Sequence, residues 1–192
     1  MQQVASAGLL ADAVRNPAGE LEDFDALVRT YWPKVFRFAL ASLRDPDAAG
    51  NVAQDCLLKV HRNASGFRGE CSVSTWLMQI AVNLVRDHAR NRRLQFWKRS
   101  QESAMDWDDL GRRLPELGAS PEARAAAREQ VEAVWKATAR LPERQRTVFL
   151  LRFVEEMDLL EIAAATGLRE GTVKTHLFRA LEAVRRQLGG VR

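Results

Sequence analysis

Residues 158–188 read DLLEIAAATGLREGTVKTHLFRALEAVRRQL, and no other stretch limits so tightly what this chain can fold into. Leu159, Ile162 and Ala163 recur at helical spacing and predict the inner face of a short helix. Ala163 is small where a second helix would cross closely. Gly167 follows four residues later, where the chain must turn, and glycine accepts the left-handed conformation at little cost. Leu168 plugs the turn, Thr172 is placed to cap the next helix, and Val173 and Leu177 point back to the core. This is the spacing of a helix-turn-helix, against the alternative of an ordinary helical hairpin. The outer face of the second helix then presents Lys174, Thr175, Phe178 and Arg179. Lys and Arg can bind phosphate or guanine edges, Thr can serve either, and Phe can meet a thymine methyl. With Thr172 and His176 they form a candidate DNA-reading set.

The rest of the chain also carries helical periodicity. Nothing alternates apolar and polar long enough for a sheet, and Gly and Pro are sparse, at 11 and 6. The expected fold is all-α, two small helical domains joined by a flexible linker. In the first, Phe24, Leu27, Val28, Tyr31 and Val35 mark one buried face, with Pro33 inside it predicting a kink or a fresh helix start. Asp45-Pro46-Asp47 marks a turn and a helix start. Val52, Cys56, Leu57 and Val60 mark the next buried face. Residues 63–74 read as a polar loop, after which Trp76, Leu77, Ile80, Ala81 and Leu84 open a helix to about Arg93. Trp76 reads as core, because Leu77 and Ile80 continue its pattern. Residues 99–120 lose periodicity and hold Gly111, Pro115 and Gly118 beside clustered acids, as a linker would. Past Pro121 an Ala-rich helix carries Val131, Val134 and Trp135, and Pro142 suits the first turn of another. The expected boundaries are an extension at 1–19, a first domain at 20–98, the linker at 99–120 and a second domain at 121–192.

Charge sorts along this frame. The net charge of +4 is mild, so distribution matters more than total. Between Arg86 and Arg99 six basic residues face Asp87 alone. Asn83, Arg86, Arg90 and Arg93 share one helix face that could lie along a phosphate backbone, with Phe96 and Trp97 beside it for stacking. A solvated basic helix end, favoured by the helix dipole, would look the same. Cys56 and Cys71 form no CxxC pair, and His61, His88 and His176 are scattered, which argues against a disulfide, a metal site or a catalytic cluster. No cofactor is expected. No apolar run spans a bilayer, and the start MQQVASAGLLADAVRN lacks a basic leader and an apolar core segment, so a cytoplasmic protein is expected. The first domain shows no nucleophile–base set and no Gly-rich phosphate loop, so an enzyme is not expected.

Two motifs in order, FRGECSVSTWLMQIAVNLVRDHARNRR (67–93) and LPERQRTVFLLRF (141–153) followed by EIAAATGLREGTVKTHLFRAL (161–181), resemble the second and fourth conserved regions of the extracytoplasmic-function sigma factors of the sigma-70 family. The resemblance covers about 21–93 and 121–188. It implies an alternative sigma factor that binds core RNA polymerase through the beta-prime clamp and beta flap, reads promoter DNA, answers to an anti-sigma factor and takes no small-molecule substrate. The helix with Asp47, Asn51, Gln54 and Asp55 would grip the clamp. The 63–75 loop, with Asn63, Phe67 and Arg68, would capture a flipped base of the minus-ten element. Asn83, Arg86, Asp87, Arg90 and Arg93 would read and hold that element, and the Lys174–Arg179 helix would read the minus-thirty-five element. One departure stands out: Gly50 and Asn51 sit where the family often has acids. A free-standing regulator using only its helix-turn-helix is the rival reading. It would be a dimer on a palindromic site.

Overall fold

The computed structural model describes residues 21, 23–96 and 121–189. Among these residues the regular structure is helical throughout: α1 (Phe24–Leu43), α2 (Pro46–Arg62), a 3₁₀ turn (Ala64–Gly66), α3 (Val73–Phe96), α4 (Pro121–Ala139), α5 (Glu143–Phe153), α6 (Leu159–Thr166) and α7 (Glu170–Gly189). The expectations for the 1–19 extension and the 99–120 linker, and for Trp97, fall outside the described residues.

Local chemistry explains the helix ends. Asp23 caps α1 by accepting the Ala26 amide at 3.0 Å, and Asp45 caps α2 by accepting the Ala48 amide at 3.0 Å, with Pro46 in the first turn. Arg44 ends α1 in the left-handed conformation and returns its N–H to the Leu40 carbonyl at 2.8 Å. Ser72 Oγ accepts the Thr75 amide at 3.1 Å, so α3 opens at Val73, a turn earlier than Trp76 suggested. Pro33 does not start a new helix: α1 runs unbroken from Phe24 to Leu43. Proline forfeits one helical hydrogen bond there. Leu27, Val35 and Phe38, on either side of it, are all fully buried on one face, and that burial holds the helix together.

The core of the first group joins those residues to Val52, Ala53, Cys56, Leu57 and Val60 of α2 and Leu77, Met78, Ala81, Val82 and Val85 of α3. The second group packs α5 and α7 with α4 and α6 around Val148, Leu150, Leu151, Ile162, Val173 and Ala180. The two groups are not separate bodies in contact with solvent on all sides. Their buried residues form one continuous cluster, in which α6 lies against α3 and α5 against α1.

Candidate nucleic-acid interface

The helix-turn-helix is built from α6, the turn at 167–169 and α7. Asp158 Oδ1 accepts the Glu161 amide at 2.8 Å while Glu161 Oε2 accepts the Asp158 amide at 2.9 Å, a reciprocal capping box that fixes where α6 begins. Gly167 ends α6 at φ +69°, the left-handed conformation the spacing required. α7 starts at Glu170, so Thr172 lies within its first turn and does not cap it. The Thr172 and Val173 amides instead reach the Arg169 carbonyl, at 2.8 and 3.0 Å. Leu168 packs on the core as expected; Ala165 is buried, and Ala163 is partly buried against the core.

α7 divides cleanly. Val173 is fully buried and Leu177 is partly buried against the core. Lys174, Thr175, Phe178 and Arg179 are exposed on the other side, and Phe178 keeps 69% of its surface open to solvent. Phe178 stands exposed beside Lys174 and Arg179 on the outer side of α7. Thr175 donates its hydroxyl proton to the Gly171 carbonyl at 2.9 Å. Lys174 pairs with Glu170 at 2.6 Å, both half-exposed, a contact that phosphate can displace because exposed pairs are weak. Thr172 and His176 are half-buried at the margins of this face.

In the first group, Asn83, Arg86, Asp87 and Arg90 are exposed along α3. Arg86 donates to Asn83, and Arg90 lies 3.3 Å from Asp87, so the face is a braced row of polar groups. Arg93 belongs to the same helix, and its side chain lies outside the described residues. Ahead of α3, Phe67 packs against Trp76 at 5.3 Å between ring centroids, both half-buried at the foot of the loop. Asn63 donates to the Lys59 carbonyl at 2.8 Å and Arg68 is exposed. Gly69, at φ +71°, lets the loop reverse before α3. Trp76 therefore serves the core on one side and the loop on the other. On α2, Asp47, Asn51, Gln54 and Asp55 are exposed opposite the buried Val52, Ala53 and Cys56. A side chain added at Gly50 would meet no atom within 4 Å, so nothing steric forbids an acid there.

The remaining chemistry is quiet. Burial pushes the Cys56 thiol up to about 12, and its Sγ lies 3.5 Å from the Leu77 carbonyl. Among the described residues no cluster of His, Cys, Asp and Glu could hold a metal ion, and no helix is long and apolar enough to cross a membrane.

Comparison with known proteins closes the identification. The family model for Sigma-70 region 2 matches residues 27–95, and that for Sigma-70, region 4 matches residues 132–184. The chain is 34% identical over 177 residues to the RNA polymerase sigma-H factor of Pseudomonas aeruginosa, covering 91% of this chain and 90% of that one. The chain belongs to the sigma-70 family. Within it the match is to extracytoplasmic-function sigma factors: 31% identity over 185 residues to SigM of Mycobacterium tuberculosis (96% of this chain, 85% of that one) and 30% over 174 residues to the sigma-E factor of Escherichia coli (88% of each). The fold agrees with two solved structures. One is RpoE of Bartonella quintana in complex with the anti-sigma factor NepR (TM-score 0.68, 21% identity, 89% of this chain and 99% of that one). The other is CnrH in complex with the cytosolic domain of CnrY (TM-score 0.64, 19% identity, 91% and 96%). A sigma factor binds core RNA polymerase and promoter DNA and directs initiation. It is not an enzyme, since the polymerase carries the chemistry.

Proposed function

We propose that this sigma factor divides its promoter between its two helical groups. Residues 121–192 act as region 4, with Lys174, Thr175, Phe178 and Arg179 of α7, flanked by Thr172 and His176, in the major groove of the minus-thirty-five element. Residues 20–98 act as region 2. There Asn83, Arg86, Asp87, Arg90 and Arg93 hold the minus-ten element, and the 63–75 loop, with Asn63, Phe67 and Arg68, takes an unstacked base. Unstacking and unpairing cost a few kcal/mol, which holding the base on the loop offsets in part. The exposed face of α2, with Asp47, Asn51, Gln54 and Asp55, meets the beta-prime clamp, and the second group meets the beta flap. Residues 99–120 tether the two and 1–19 precede them.

The single observation that carries this reading is the sorting of α7: Val173 and Leu177 inward, the cationic and apolar reading set outward. By analogy with the solved sigma factor RpoE, which holds an anti-sigma factor, this chain too is held by one, and it works in the cytoplasm, where the polymerase is. Run-off transcription with core enzyme tests the reading. Purified chain plus core is expected to initiate at promoters with two unlike elements at fixed spacing. A symmetric binding site selected without polymerase would favour the free-standing regulator instead.

A further inference from the structure

Three guanidiniums meet at one cleft. It has a volume of about 520 Å³ and is lined by α3, the first turns of α5 and the end of α6. Arg86 and Arg90 come from α3 and Arg144 from α5, and the one carboxylate on the lining is Glu143. All three arginines are exposed. Arg90 lies 3.3 Å from Asp87, an exposed pair of the kind that contributes little and gives way to a better anion. Arg86 donates to Asn83, and neither it nor Arg144 forms an ion pair with another described residue. Like charges gathered around one cleft repel one another, and a bound anion relieves all three at once.

The rest of the lining says what kind of anion fits. Val82 and Val85 of α3 and Leu168 after α6 supply an apolar wall. Arginine suits such a mixture: its fork grips phosphate with two parallel hydrogen bonds, and its flat face stacks on planar rings. Thr147 and Thr166 also line the cleft. Each spends its hydroxyl proton on a carbonyl of its own helix, that of Glu143 at 3.0 Å and that of Ile162 at 2.6 Å. A hydroxyl so engaged can only accept, so these two favour N–H or O–H donors on a ligand. Inorganic phosphate would leave most of the space empty, whereas a cleft of this size suits a drug-sized molecule with a few polar anchors.

We propose that this cleft binds a nucleotide, with its phosphates on Arg86, Arg90 and Arg144 and its ring against Val82, Val85 and Leu168. The consequence for transcription rests on the function proposed above. Arg86 and Arg90 there hold the minus-ten element, so nucleotide and promoter draw on the same two guanidiniums and exclude one another. Arg144 stands outside that DNA set and reports on the nucleotide alone.

Fluorescence anisotropy of GTP carrying a methylanthraniloyl label tests this on the full chain. Saturable binding is expected, with a Kd below about 100 μM. Unlabelled GTP should compete, and guanosine and inorganic phosphate far more weakly, because each keeps only part of the recognition. R144Q is expected to weaken binding about tenfold, as the loss of one charge-assisted contact does. R29Q, which removes an exposed charge of α1 outside the cleft, is expected to leave it unchanged. No saturable binding up to about 1 mM, wild-type affinity in R144Q, an equal loss in R29Q, or guanosine competing as well as GTP overturns the proposal. Single-stranded promoter DNA is then expected to displace the labelled nucleotide. Binding that R144Q weakens but that this DNA never displaces upholds the cleft and counts instead against the minus-ten role of Arg86 and Arg90.

Discussion

Asp158 and Glu161 hold each other's backbone amides at 2.8 and 2.9 Å, and the same Glu161 carboxylate accepts the Thr75 hydroxyl from the other module. The first helix of the DNA-binding motif is thus capped by a group that also joins the two modules. Asp158→Ala removes the side-chain acceptor and leaves an orphaned amide at the start of α6. The expected loss is about 1 kcal/mol, read as a lower urea midpoint at unchanged slope.

Gly167 is the second point where a single atom decides the motif. An added Cβ would touch nothing within 4 Å, so the cost of Gly167→Ala is conformational and not steric. It should be about 1 kcal/mol, the penalty of the left-handed region. Gly167→Asn should lose less, because asparagine visits that region more readily. Equal losses in urea titrations of the two variants would mean that the turn is limited by something else.

On α7, Arg179→Ala and Lys174→Ala are expected to weaken recognition of the upstream element by roughly 1–3 kcal/mol where the contact is bidentate to a base. A residue that touches only phosphate would instead weaken all sequences alike and lower the salt slope by about one. Competition binding of the holoenzyme at two salt concentrations separates the two. An unchanged promoter preference in both variants removes them from the reading set.

Glu155 makes stability depend on pH. Burial pushes its carboxyl above the ordinary range. The hydrogen bond and charge of Arg37 and the charge of Lys34 pull it partly back, and Glu156 adds to the rise. The folded state therefore holds this proton more tightly than the unfolded chain does. Its contribution is complete below the ordinary carboxyl value of about 4.3 and is lost as pH rises through the raised value. Thermal melts of wild type minus Glu155→Gln should show a difference that falls with rising pH over that window. A flat difference would contradict the assignment.

The two cysteines should separate by reactivity. The thiolate is the reactive form, and Cys56, fully buried with its thiol pushed up to about 12, holds almost none of it at pH 8. Cys71 is half-buried, raised first by burial and then by the Glu70 charge, with a backbone hydrogen bond from Trp76 acting the other way. A thiol-reactive dye should label one site in the native protein and two in denaturant. Fast native labelling of both would show that the α2–α3 core opens.

Much of this protein is written locally. The buried faces of α1, α2 and α3, the turn at Gly167 and the outward set on α7 all follow from side chains within one or two helical turns, and that short range is what periodicity and φ preferences report. Helix ends were less legible. α7 begins two residues before Thr172 because the Arg169 carbonyl takes the first amides, and α1 crosses Pro33 because flanking burial outweighs one lost hydrogen bond. The pairing of Arg37 with Glu155 and of Thr75 with Glu161 has no local signal at all. A charged residue on a helix looks the same in sequence whether water or another module answers it. Only the folded chain brings groups 118 and 86 residues apart within hydrogen-bonding distance and takes the carboxylate out of water. Desolvation acts through space, so it is decided where the chain packs and not where the residues stand along it.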